Sequence, residues 1–148
     1  MKKQNVLILF FSGAGATQLL TEWIHTRLSH TSRYEIIRRE IALHGFPYEL
    51  LPQADIVLLG GPTHFMAPAQ TMLDFIRNMP VFEKRIKLIY FSTAAMETGN
   101  HERIVLQAIR TKNVYVPQTF FFKAPGCDYL AFMPKRIACK IATHPGKG

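Results

Sequence analysis

The residues of this 148-residue sequence best suited to holding an anion are Ser12-Gly13-Ala14-Gly15-Ala16-Thr17. An apolar run, Val6 to Phe11, precedes them, and Leu19, Leu20, Trp23, Ile24 and Leu28 follow at helical spacing. A buried strand, a glycine loop and a helix start bring backbone N–H groups and the positive end of a helix dipole to one place. The loop is no Walker A motif, because no Gly-Lys-Ser/Thr follows. Nor is it a dinucleotide fingerprint, since Gln18 stands where the third glycine belongs. A nest of donors with a hydroxyl at each end suits a terminal monophosphate. A plain strand-to-helix turn is the competing reading.

Two further segments turn small and polar. In Gly60-Gly-Pro-Thr-His-Phe-Met-Ala-Pro68, Pro62, Thr63, His64 and Phe65 place an imidazole and a phenyl ring where a flat ring could lie between them and a second wall. In Ser92-Thr-Ala-Ala-Met-Glu-Thr-Gly-Asn100, Ser92, Thr93, Ala94 and Ala95 are small enough for backbone to approach such a ring, and Gly99-Asn100 suits a turn and helix cap. Taken singly, both segments also read as ordinary connections, with Phe65 in the core and His64 solvated.

The elements that must position these loops alternate. Strands are predicted over 5–11, 33–41, 55–60, 86–92 and 113–122. Helices are predicted over 16–30, from Pro68 to just before Pro80, over 100–112 and from about Pro134, with a helical turn at 47–53. Such alternation with apolar strands predicts an α/β domain over 1–148: a five-stranded parallel sheet of order 2-1-3-4-5 between helical layers. In that order the first, third and fourth strands are neighbours. Their C-terminal loops are the three segments above, so they meet at the topological switch point.

Composition bounds the function. With 48% hydrophobic and 19% charged residues the chain reads as an ordinary globular domain, and no apolar run approaches the ~20 residues of a membrane span. The short run after Lys2 and Lys3 lacks a cleavage site, so the expected location is cytoplasmic. Cys127 and Cys139 have no metal spacing, and the six histidines form no ligand pair, so no metal is expected. A net charge of +8 raises nucleic acid as a partner, but the basic residues are dispersed. From Lys123 onward, Lys123, Lys135, Arg136, Lys140 and Lys147 face Asp128 alone, without a recognition helix. A solvated basic face or a dock for an acidic partner fits better than nucleic acid.

On Phe10-Phe-Ser-Gly-Ala-Gly-Ala-Thr17, the Gly-Pro-Thr-His segment and the closing Gly99-Asn100, the chain resembles a flavodoxin-type FMN domain over essentially its whole length. It is most similar to the flavodoxin half of bacterial proteins that couple such a domain to a ferredoxin-like one, whose first loop reads Phe-Phe-Ser-Gly-Thr-Gly-Asn-Thr. The resemblance implies a flavodoxin-like three-layer sandwich. It also implies non-covalent FMN with its phosphate on residues 12–17, and an isoalloxazine ring between 62–65 on one side and 92–95 with Gly99 and Asn100 on the other. It implies one- or two-electron transfer to a redox partner, ferredoxin-like or acidic, with no catalytic side chain of the protein's own. Ala14 and Ala16 stand where the family has Thr and Asn, and Ala94 and Ala95 where glycines are frequent. Two other functions stay open: an FMN-dependent NAD(P)H:quinone-type reductase, and an interaction module that has lost FMN.

Overall fold

Residues 6–10 are all buried, which is why Val6-Leu-Ile-Leu-Phe10 is apolar at every position instead of alternating. They belong to a central strand of a computed structural model that describes residues 2–41 and 45–124. In chain order the elements are β1 (Gln4–Phe10), α1 (Ala16–Ser29), β2 (Tyr34–Glu40), a 3-10 helix (Tyr48–Gln53), β3 (Ile56–His64), β4 (Ala67–Pro68), α2 (Gln70–Asn78), β5 (Ile86–Ala94), α3 (His101–Ile109), β6 (Val114–Tyr115) and β7 (Thr119–Lys123).

The sheet runs β2-β1-β3-β5-β6, with β7 also on β5 and β4 on β3. All pairings are parallel except that of β4. This is the doubly wound order expected from the sequence, with seven strands in place of five. The expected fifth strand divides into β6 and β7 around Pro117, and the two-residue β4 is new. The helix expected near Pro134, Cys127 and Cys139 lie outside the described residues.

One face of the sheet carries Leu7, Leu9, Val57, Leu59, Leu88 and Tyr90, packed with Met72, Phe75 and Ile76 of α2 and Val105 and Ile109 of α3. Each such side chain contributes roughly 1.5–3 kcal/mol on full burial, so this layer dominates the stability. Phe46, Tyr48 and Phe75 form an aromatic cluster, and Tyr48 Oη donates to the Phe75 carbonyl at 2.6 Å, tying the 3-10 helix to α2. Burial pushes that phenol up to about 12.

Side-chain alternation puts Val6, Ile8 and Phe10 on the opposite face, with α1. The predicted apolar stripe of α1 is only half sheltered. Its buried residues are Thr17 and Thr21, whereas Trp23 is 56% exposed with the Arg27 guanidinium 5.3 Å over its ring.

β3 and β5 overrun their expected ends. β3 continues through Gly60-Gly61-Pro62 to His64, and β5 continues to Ala94. Pro62 pairs with Thr93 on β5, and β1 ends opposite Gly60; on that side the Pro62 carbonyl accepts from the Ala69 N–H at 3.3 Å, and its missing N–H costs no bond to β1. Pro68 belongs to β4 rather than to a helix, which starts at Gln70.

Candidate functional site

The first segment leaves β1 at Phe10 and enters α1 at Ala16. Gly15, the N-cap, holds the left-handed φ of +95° that a side chain resists, and no side chain caps the helix directly. Instead Ser12 Oγ accepts from the backbone N–H groups of Gly15 and Gln18, each at 3.2 Å. One donor of the loop and one of the first helical turn thus converge on one oxygen. The N–H groups of the first helical turn have no acceptor within the helix, so this end retains further capacity for an anion. Gly13 is exposed, and Ser12, Ala14, Gly15 and Ala16 are half-buried. Thr17 is buried, and its Oγ1 lies 3.0 Å from Thr93 Oγ1, which fastens the first segment to β5.

The second segment is a hairpin. Thr63 pairs with Pro68 and His64 with Ala67, leaving Phe65 and Met66 as the two turn residues. Both have positive φ, 48° and 63°, the type I′ requirement that Asn-Gly usually meets. Two bulky residues in this conformation cost roughly 1–3 kcal/mol each. They project strongly: Phe65 is 88% exposed and Met66 59%. Pro62 and Thr63 are buried inside β3, and His64 is half-buried.

The third segment leaves β5 at Ala94. Ser92, Thr93 and Ala94 are buried in that strand, and the Ala94 carbonyl accepts from the Ala124 N–H at 2.8 Å. Ala95 is half-buried, while Met96, Gly99 and Asn100 are exposed. Gly99 has φ +54°, and a Cβ there would run into the Met66 side chain. The Asn100 N–H donates to the Met66 carbonyl at 3.1 Å. Loops two and three therefore touch, and together with residues 12–16 they form one rim at the C-terminal ends of β1, β3 and β5.

Beneath the rim lies a group that the motifs did not reveal. His101, the first residue of α3, is fully buried. Its Nδ1 is 2.7 Å from Thr63 Oγ1 and its Nε2 is 2.6 Å from the Tyr90 hydroxyl. Burial lowers this imidazole to about 4, with nearby His64 adding to the effect, and burial raises the Tyr90 phenol well above its ordinary value. The ring is neutral at physiological pH, with one nitrogen donating and the other accepting. His64 Nε2 is buried and has no hydrogen-bond partner among the described residues. Tyr90 and His101 lack a sequence signal beyond the position of His101 directly after Gly99-Asn100. Met66 and Met96 stand beside the expected residues as exposed apolar groups.

Concavities occur elsewhere too. One of about 250 Å3, among Asn5, Leu7, Glu35, Ile37, Leu50 and Gln53, opens at the N-terminal ends of the strands, away from the end where open α/β sheets bind ligands. A shallow one of about 610 Å3 starts at Gly99 and follows α3 past Arg103 and Leu106 to Arg110.

No protein-family model and no curated protein sequence matches the chain. Solved structures do. A Megasphaera elsdenii flavodoxin superimposes with TM-score 0.67 at 17% identity, covering 78% of this chain and 84% of its own. Flavodoxin 1 from Bacillus cereus gives 0.63 at 18%, covering 96% and 99%. A flavoprotein from Lactobacillus acidophilus NCFM, solved in complex with FMN, gives 0.53 at 18%, covering 80% and 93%. With its 2-1-3 strand order and rim of three loops, the chain has the flavodoxin-like fold.

Proposed function

We propose that the rim binds FMN non-covalently and that the protein works as an electron carrier. The observation that carries this reading is the convergence of the three segments: residues 12–17 are fastened to β5 through Thr17 and Thr93, and Met66 rests on Gly99. The residues present fit the group. Ser12 Oγ engages the Gly15 and Gln18 N–H groups, and the N–H groups of Ala16 and Thr17, in the first turn of α1, have no acceptor within the helix and are the donors a phosphate would take. The exposed Phe65, Met66 and Met96 offer apolar surface to a flat ring.

FMN would supply the redox chemistry, and the chain's residues hold, orient and shield it. The backbone donors of 12–17 anchor the phosphate, Pro62, Thr63, His64 and Phe65 form one wall, and Ser92, Thr93, Ala94, Ala95, Gly99 and Asn100 form the other. Buried members of these sets act by shaping the strand ends. A redox partner of acidic surface, such as a ferredoxin-like protein in the cytoplasm, suits the +8 charge and the groove bearing Arg103 and Arg110 beside Gly99.

Titration of the purified protein into FMN, followed by flavin fluorescence and visible absorption, tests the reading. Stoichiometric quenching with a shifted flavin spectrum is expected, with little NADH or NADPH oxidation in the presence of a quinone. Absence of binding would leave an interaction module. Sustained turnover with NAD(P)H would make the protein a reductase.

A further inference from the structure

The rim is held in shape from below by a residue that is not part of it. We propose that His101 is a positioning residue: its imidazole bolts the second and third loops into one unit and so sets the ring-binding half of the site. The inference rests on the FMN reading for its ligand, but its mechanical part stands on the protein alone.

His101 occupies the junction of three elements. Through Nδ1 it holds Thr63, two residues before the strained Phe65–Met66 turn, and through Nε2 it holds Tyr90 in β5. The preceding residue, Asn100, donates its N–H to the Met66 carbonyl. The start of α3 therefore grips the hairpin at both its strand and its turn. Phe65 and Met66 keep a costly backbone conformation, and such conformations persist only where surrounding contacts over-determine them. The two hydrogen bonds of His101 are such contacts, because both hydroxyls are buried and leaving them unpaired is costly. Residues 12–16 receive no bond from His101, so its influence belongs to the ring side of the site and not to the phosphate side.

The test is His101→Leu, which fills the space but leaves Thr63 Oγ1 and the Tyr90 hydroxyl unpaired, with His101→Gln restoring a donor and an acceptor. Affinity for FMN and for riboflavin, which lacks the phosphate, is measured for each. Both flavins should bind roughly tenfold more weakly to the Leu variant, the scale of a buried polar group left unpaired, and the Gln variant should recover most of that loss. In the flavin-free protein, the Asn100 amide should exchange with deuterium faster in the Leu variant, while β1 amides keep their protection. If His101→Leu does not fold, Thr63→Val removes one bond at constant shape and is expected to move the same readouts in the same direction. A folded variant with unchanged Asn100 exchange and unchanged flavin affinity overturns the proposal. Wild-type protein that binds no flavin overturns the FMN reading instead, and the exchange measurement still decides the role of His101.

Discussion

Met66 sits directly over Gly99, so closely that a methyl group at position 99 would collide with the Met66 side chain. Both residues have left-handed backbone, φ 63° and 54°, so each constrains the other in shape as well as in space. Gly99→Ala should destabilise the protein by roughly 1–3 kcal/mol, from the positive φ and the collision together. Met66→Gly removes the obstructing side chain and should recover part of that loss. Urea denaturation of the two single variants and the double variant checks this, with non-additivity of at least about 0.5 kcal/mol expected.

His101 ties stability to acidity. Its folded value of about 4 lies below the ordinary 6.5, so the unfolded chain takes up a proton first. The stabilisation is complete above pH 6.5, fades as pH falls and is gone below about 4, a swing of about 3 kcal/mol. Between pH 7.5 and 4, wild-type protein should lose more stability than His101→Gln by that amount. Equal losses would contradict the assignment.

On the FMN reading the helix-entry loop takes a single phosphate, and its sequence lacks a pyrophosphate fingerprint. FMN should therefore bind at least roughly tenfold tighter than riboflavin, since each hydrogen bond to a charged group is worth about 1.5–3 kcal/mol. FAD should also bind less well than FMN. Fluorescence quenching with the three flavins measures the order, and equal affinity for riboflavin would remove the phosphate from the binding energy.

On the same reading, Ala14 and Ala16 would leave the phosphate to Ser12, Thr17 and backbone donors. Ala14→Thr combined with Ala16→Asn should tighten FMN by roughly tenfold, the worth of one added bond to a charged group, with riboflavin unaffected. Unchanged FMN affinity would show that the backbone and Ser12 already saturate the phosphate.

The basic surface should show in the potential for adding a second electron to bound FMN, which creates an anion. Relative to acidic proteins of this fold, that potential should be less negative, by an amount that shrinks as salt rises, because exposed charges about 10 Å away are screened. Anaerobic titration at low and high ionic strength measures it. A value indifferent to salt would assign control to ring contacts.

The alternation of elements, the strand order and the three converging segments were legible because they rest on apolar runs and on glycine and proline punctuation. The same punctuation misplaced the strand ends. Gly60-Gly61-Pro62 reads as a loop, yet β5 beside it supplies a ladder, so the chain stays extended to His64. Nothing local marks Phe65-Met66 as a type I′ turn, and the residues that meet it, Gly99 and Asn100, lie far along the chain. The strand-to-helix turn at 12–17 was legible from its glycines, but the bond between Thr17 and Thr93 spans 76 residues. The His101 cluster was illegible for the same reason: Thr63, Tyr90 and His101 share no spacing and meet only when β3, β5 and α3 are packed.

The two loops joined at Met66 and Gly99 are also tied to β5 through His101, and segments fastened in this way open together rather than one by one. A single exposed side chain swings aside within nanoseconds, whereas parting a helix end from a hairpin belongs to the slower, collective class of motion. Opening at this corner would therefore be one event shared by the hairpin and the start of α3.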